Sequence, residues 1–277
     1  LNFNAAILEK NNTNLTLKKI MFKGPLKKGQ IVVKLKYSGI CGRQIDEIEG
    51  IGKKDPFLPH LLGHEGSGIV LDVGPGVTKI IKGDRVILHW IKSSGINSDT
   101  PEYYFGNKKI NAGWVTTFNE LAVVSENRLS KIPKKYPYLK SSLFGCCVPT
   151  SFGIVFNALN LRKNDNLVIF GAGGIGLLII QAAKLFNINN IIAIDLRESS
   201  LKIAKKFGAN VTIKLGKKNN NFMKKIDNLK ITKTIITTGN IQAIEKAFSL
   251  TSSSGTCYIM GVPKKDAKIR VNASSEI

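Results

Sequence analysis

Three side chains in this sequence could together hold a metal ion and leave it reactive. Cys41 lies in Ser38-Gly39-Ile40-Cys41-Gly42, His64 in Gly63-His64-Glu65-Gly66, and Cys146 in Gly145-Cys146-Cys147. Two thiolates and one imidazole make a tetrahedral zinc site with its fourth position open, the arrangement of a catalytic rather than a structural zinc. Such an ion is a Lewis acid that polarises a bound hydroxyl or carbonyl oxygen. The ligands come from distant segments, and a cysteine taken singly reads as a buried thiol. Spacing alone leaves both readings open.

A second constellation points to a dinucleotide. Gly171-Ala172-Gly173-Gly174-Ile175-Gly176 fits G-x-G-x-x-G, directly after the apolar run Leu167–Phe170 and at the start of an apolar helical pattern, Ile175–Phe186. Gly171 allows the tight turn, Gly173 lets backbone approach a pyrophosphate, and Gly176 permits close helix–strand packing. The N–H groups of the helix start, around Gly174 and Ile175, then face the phosphates. Nineteen residues after Gly176, Asp195 ends a second apolar run and can accept hydrogen bonds from ribose hydroxyls. Its charge repels a 2′-phosphate, which favours NAD; Arg197, two residues on, keeps NADP open.

Different scaffolds must position these two constellations. Residues 1–150 carry short β-like runs (Ala5–Leu8, Ile31–Tyr37, Gly68–Val73, Arg85–His89, Leu121–Val124) between Gly/Pro turns. They predict an irregular, mostly antiparallel, barrel-like domain. Residues 151–277 alternate strand and helix: strands at Leu167–Phe170, Ile191–Asp195, Val211–Lys214, Thr234–Thr237 and Thr256–Met260, helices at Ile175–Phe186, Ser200–Phe207 and Ile241–Leu250. That alternation predicts an α/β domain with a doubly wound parallel sheet.

The remaining composition excludes several classes. Lys+Arg number 41 against 19 Asp+Glu, a net charge of +22. The lysines are scattered doublets, among them Lys27-Lys28, Lys53-Lys54, Lys108-Lys109, Lys134-Lys135, Lys205-Lys206, Lys224-Lys225 and Lys264-Lys265. With no recognition motif beside them they read as a solvated basic surface, not a nucleic-acid site. Four cysteines, two of them adjacent, make a poor disulfide framework; Cys147 and Cys257 read as small buried apolar groups. The start LNFNAAILEK lacks the features of a secretory signal, so a cytoplasmic protein is expected. Residues 167–186 are apolar enough for a membrane span, but their glycines favour a buried strand, turn and helix, so no membrane is expected.

Taken in order, LNFNAAILEK through SGICG, FLPHLLGHEGSGIV, VGPGVTKIIKGDRV, VIFGAGGIGLLIIQAAKLF, IIAID and GTCYIMGVP resemble the zinc-dependent alcohol dehydrogenases of the medium-chain dehydrogenase/reductase superfamily. The resemblance spans almost the whole chain. It implies a GroES-like catalytic domain joined to a Rossmann domain, with zinc on Cys41, His64 and Cys146, the Cys2His set general for alcohol dehydrogenase. It also implies that Glu65 can visit the metal, that Thr150 touches the nicotinamide, and that Trp90 lines the substrate pocket. The implied activity is hydride transfer between NAD(H) and a small alcohol, aldehyde or ketone, in a full-length parent that forms homo-oligomers. His60 is expected in a loop and His89 at a strand end.

Three departures qualify the resemblance. The stretch from Trp90 to Trp114, which in many members holds a structural zinc on four cysteines, contains no cysteine, so one zinc per chain is expected. The positions where the family carries a hydroxyl proton relay and an aspartate behind the zinc are Arg43 and Gln44. Arginine cannot relay a proton, so the proton leaves through Asp46, Glu65 or water, or Arg43 binds an anionic substrate or the cofactor phosphates. Finally, the family continues for some tens of residues beyond the point reached by residue 277, so a C-terminally shortened relative is expected. Two other classes stay open: a metal-free reductase of the quinone-reductase branch, and a non-catalytic basic binding module.

Overall fold

The alternating pattern of the first half resolves into strands. In the computed structural model, which describes residues 1–51, 55–216, 226, 228–264 and 266–270, the chain divides into two units, Leu1–Cys147 and Val148–Ile277. The first unit carries β1 (Asn2–Leu8), β2 (Thr16–Phe22), β3 (Gln30–Ser38), α1 (Gly42–Ile48), β4 (His60–Leu61), β5 (Glu65–Val73), β6 (Arg85–His89), β7 (Tyr103–Phe105), β8 (Lys108–Ile110), β9 (Leu121–Ser125), β10 (Leu129–Lys131) and α2 (Tyr138–Ser141). They form two antiparallel five-stranded sheets, ordered β4-β1-β2-β7-β8 and β10-β6-β5-β3-β9.

β3 shows why this unit closes on itself. Val32 faces one apolar cluster with Phe3, Ile7, Ile20 and Tyr103, while Ile31 and Val33 face another with Val70, Val86, Leu88 and Leu129. β9 divides likewise, Val123 against Ala122 and Val124. Strands buried on both faces read as unbroken apolar runs, and each fully buried aliphatic side chain contributes roughly 1.5–3 kcal/mol. The segment before β9 joins the sheets: the Phe118 carbonyl accepts from Ala6 N–H and the Glu120 carbonyl from Leu35 N–H, both at 2.9 Å. The result is an antiparallel half-barrel.

The cysteine-free stretch from Trp90 to Trp114 includes the β7–β8 hairpin, which pairs with β2, and packs elsewhere on a buried turn, Glu126-Asn127-Arg128. The Glu126 carboxylate accepts from the N–H groups of Thr78 (2.8 Å), Lys79 (2.7 Å) and Ile96 (2.9 Å). Asn127 accepts from Ser93 N–H and donates to the Asn97 side chain. The Arg128 guanidinium donates to the Trp90 carbonyl and lies 5.6 Å over the Trp114 ring.

The second unit follows α3 (Cys147–Asn157) and is built from β11 (Asn166–Phe170), α4 (Gly174–Lys184), β12 (Asn190–Asp195), α5 (Glu198–Phe207), β13 (Val211–Lys214), β14 (Lys233–Ile236), α6 (Ile241–Leu250) and β15 (Thr256–Ile259). Its sheet is parallel, ordered β13-β12-β11-β14-β15. Leu167, Ile169, Ile191 and Ala193 pack on one face with Val155, Ile179 and Leu201 from the helices; Val168, Phe170, Ile192 and Ile194 pack on the other with Ile244 and Ala247 of α6. Helices on both faces make the sheet doubly wound. Strand order reverses between β11 and β14, so the crevice above their C-terminal ends is the switch point where such sheets bind ligands. α5 stops at Gly208, whose φ of +126° suits glycine and whose N–H closes on Ala204 and Lys205.

Several elements differ from the sequence pattern. α1, α3 and the β7–β8 hairpin carry no clear periodicity and are found only in the structure. α4 starts and ends one or two residues earlier than its apolar pattern. Among the described residues no single helix is long and apolar enough to cross a membrane; residues 167–186 divide into β11, the glycine turn and α4. Of the lysine doublets, Lys53-Lys54, Lys224-Lys225 and the second residue of Lys264-Lys265 lie outside the described residues.

Candidate functional site

The metal-ligating trio is assembled from three local structures within the first unit. Cys41 leaves β3 and caps the N-terminus of α1, His64 precedes β5, and Cys146 follows the turn Ser142–Gly145. Their ligand atoms lie within 4.8 Å of one another. A tetrahedral zinc would hold such atoms about 3.5–3.8 Å apart, so small side-chain rotations close the set. His64 Nε2 is buried and has no hydrogen-bond partner. A buried nitrogen without a hydrogen-bond partner beside two thiols is a donor set that a metal ion would satisfy, and the trio fits zinc. No other group of three or more metal-ligating side chains occurs among the described residues.

The electrostatics agree. The Cys146 thiol, and after it the His64 ring, outweigh burial and draw the Cys41 thiol down to about 4, so the thiolate, the ligand form, is favoured. Glu65 opens β5 at 2% exposure; burial raises its pKa, opposed by the Cys147 N–H at 3.2 Å and by His64. Its carboxylate fits because Gly39 and Gly145 leave space: a Cβ at Gly39 would come 2.5 Å from Glu65 Oε1, one at Gly145 2.6 Å from its Cα.

Gln44, at the position where the resemblance expects an aspartate behind the zinc, lies beside the ligands, and its own role there was not assigned from the sequence. It is 2% exposed, accepts the Cys41 N–H through Oε1 at 3.2 Å, and brings Nε2 within 2.5 Å of His64 Nδ1. The available signal was the capping-box spacing, a glutamine three residues after a potential cap, here with cysteine as the cap.

Arg43 turns outward. Its side chain is 52% exposed and lies 3.9 Å from Asp46 and 3.8 Å from Glu47 on the same helix. Trp90 follows β6 and is half exposed; Thr150 stands near the start of α3, partly buried. His60 opens β4 instead of lying in a loop, and pairs with Asp55 at 2.8 Å. His89 ends β6 and meets Ser130 at 3.1 Å, with burial lowering its pKa.

The second unit gathers the glycine turn at its switch point. Gly171 has φ +99°, Gly173 caps α4, and a Cβ on Gly176 would fall against the Gly171 carbonyl oxygen. No side chain caps α4, so the N–H groups of Gly174, Ile175 and Gly176 are free for a phosphate. Asp195 ends β12 and is held in place by two backbone donors, Ala172 N–H on Oδ2 and Arg197 N–H on Oδ1, both at 2.8 Å. The Arg197 side chain is 70% exposed, its Nε 3.7 Å from the same carboxylate.

Comparison with known proteins bears on the fold and the family. Residues 27–134 match the family described as alcohol dehydrogenase GroES-like domain, and residues 174–275 the family described as zinc-binding dehydrogenase. The chain is similar to S-(hydroxymethyl)glutathione dehydrogenase of Photobacterium damsela subsp. piscicida, 32% identical over 210 residues, 67% of this chain and 57% of that protein. It thus spans less than two thirds of the length of such relatives. Benzyl alcohol dehydrogenase from Acinetobacter calcoaceticus superposes with a TM-score of 0.85 at 25% identity, covering 99% of this chain and 81% of that one. An alcohol dehydrogenase zinc-binding domain protein from Burkholderia ambifaria shares the fold with a TM-score of 0.88 at 23% identity, over 99% of this chain and 81% of that one.

Proposed function

We propose, on the premise that the chain belongs to the zinc-type alcohol dehydrogenases of the medium-chain dehydrogenase/reductase superfamily, that it interconverts an alcohol and its aldehyde or ketone with zinc and NAD(H). The observation that carries this is the gathered trio with the orphaned His64 Nε2. Zinc, when bound, polarises the substrate oxygen, and the nicotinamide exchanges hydride with the substrate carbon. Cys41 and Cys146 supply two negative charges to the centre, His64 a neutral nitrogen, and Glu65 a buried carboxylate alongside. Arg43 cannot pass a proton; partly exposed Asp46, three residues on, offers the route to solvent. Thr150 we place against the nicotinamide on the family resemblance. A thiol ligand set needs reduced cysteines, which fits a cytoplasmic setting.

One zinc per chain is the expected content, given the one trio found among the described residues and the cysteine-free stretch. Elemental analysis of the purified protein checks it, and two equivalents, or none after zinc-supplemented expression, would defeat it. NADH formation with a panel of hydroxymethyl compounds, a group that S-(hydroxymethyl)glutathione and benzyl alcohol both carry, separates this reading from a non-catalytic module.

NAD should be preferred over NADP by at least about tenfold, or ~1.4 kcal/mol. Two backbone donors fix the Asp195 carboxylate, and its remaining lone pairs can take ribose hydroxyls while its charge repels a 2′-phosphate. Dissociation constants for NADH and NADPH test this, and Asp195→Ala should narrow the gap; equal affinities in the wild type would show that Arg197 offsets the carboxylate. An anionic substrate is the finer form of the proposal. Arg43, half exposed beside Asp46 and Glu47, has carboxylates of its own nearby and does not by itself call for an anionic substrate. The basic surface, which would steer an anion inward, remains in its favour.

A further inference from the structure

We propose that Gln44 holds the metal-free centre in the wrong histidine tautomer, so that this site binds zinc more weakly than a carboxylate at the same position would allow. The proposal rests on the trio being the zinc ligands. Around Gln44 the hydrogen-bond polarities conflict.

The Cys41 backbone N–H can only donate, so the oxygen of the Gln44 amide must face it, as it does at 3.2 Å. That turns the amide NH2 towards His64 Nδ1, 2.5 Å away. An NH2 group has no acceptor capacity, so Nδ1 must accept, and the neutral ring carries its proton on Nε2. Nε2 is the nitrogen that lies without a hydrogen-bond partner beside the two thiols, the atom a metal needs bare.

Loading zinc on Nε2 moves the ring proton to Nδ1, where it confronts the NH2 group. Turning the amide over only transfers the clash to the Cys41 N–H. Gln44 is 2% exposed, which leaves little room for water to mediate. A carboxylate offers two acceptor oxygens and would satisfy Cys41 N–H and Nδ1–H together, the usual arrangement behind a metal-bound histidine. Gln44 is therefore a positioning residue that works against the metal it adjoins.

The test begins on the metal-free wild type, which needs no variant. With only three histidines in the chain, nitrogen-15 spectra of histidine-labelled protein resolve the ring of His64, identified by its loss in His64→Ala. The expected result is the Nε2–H tautomer; Nδ1–H would overturn the proposal. Gln44→Glu is expected to switch the metal-free ring to Nδ1–H and to lower the zinc Kd by about tenfold or more, the usual span of such outer partners being about 10–100-fold. Added negative charge alone could tighten zinc, so Gln44→Met, neutral and without an NH2, is the control. It should bind zinc at least as tightly as the wild type, and a tenfold loss would overturn the proposal. Retention of a full zinc equivalent by His64→Ala would instead remove the zinc reading itself, and this inference with it.

Discussion

His64→Ala is expected to cut the zinc content well below one equivalent and to lower kcat/KM for alcohols at least about a thousandfold. The histidine supplies the only nitrogen among three gathered ligand atoms. Lewis-acid polarisation is worth several kcal/mol of transition-state stabilisation, and about 4 kcal/mol already corresponds to about a thousandfold in rate. NADH affinity should stay within about twofold, because the glycine turn and Asp195 belong to the other unit, and that constancy distinguishes loss of the metal from loss of the fold. Elemental analysis, steady-state kinetics and an NADH titration check the three statements. A variant that loses zinc yet keeps a tenth of the activity would show that the metal is not the Lewis acid.

Glu126→Ala is expected to destabilise the first unit by about 3–5 kcal/mol. The substitution removes the acceptor of the part-buried N–H groups of Thr78, Lys79 and Ile96 in a site where Glu126 is 1% exposed, and a donor left unpaired costs roughly 1–3 kcal/mol, the lower figure applying where burial is partial. Glu126→Gln keeps an acceptor oxygen and should cost about half as much. The pH dependence has a defined sign. Burial pushes the Glu126 carboxyl up, but the N–H groups of Lys79, Ile96 and Thr78, with the Lys79 charge, outweigh it and hold the pKa below its ordinary 4.5. A depressed carboxyl contributes stability that is present above the ordinary value and lost as pH falls through the lower folded value. The wild type should therefore lose stability on acidification below pH about 4.5, and Glu126→Gln should lose less over the same window. Urea midpoints at several pH values measure both effects, and a cost under about 1 kcal/mol for Glu126→Ala would show that the turn does not hold the stretch packed on it.

What was legible in the sequence was whatever repeats with a period or needs a special backbone. The parallel sheet followed from apolar runs such as Leu167–Phe170 and Ile191–Asp195 that alternate between two cores. The glycine turn followed from residues that no side chain can replace at Gly171 and Gly176. The trio could be named from its ligand types, but only the resemblance chose the zinc reading over buried thiols, since nothing local connects Cys41 to Cys146. α1 stayed hidden because seven residues are too few to show a period. Gln44 and Arg43 illustrate the remaining gap: one buried with both of its polar ends engaged, the other half exposed, on consecutive positions of the same helix turn. Which of two neighbours faces inward depends on the direction in which α1 leaves Cys41, and that is a tertiary fact.

The wide separation of the three ligand-bearing segments also bears on how the chain acquires its shape. Bringing residue 146 back to residue 41 closes a loop of about a hundred residues, at an entropic cost on the order of 4 kcal/mol. No shorter piece of the chain contains the full chelate, so during synthesis the complete set of donors cannot exist until the β-rich unit has emerged almost entire. A metal ion added to nascent chains would meet only isolated thiols or an imidazole. Once the unit has closed, the same ion would act as a clasp across that long loop, resisting opening by RT ln(1 + [Zn]/Kd), so survival against protease should rise with free zinc in the wild type and not in a chain lacking His64.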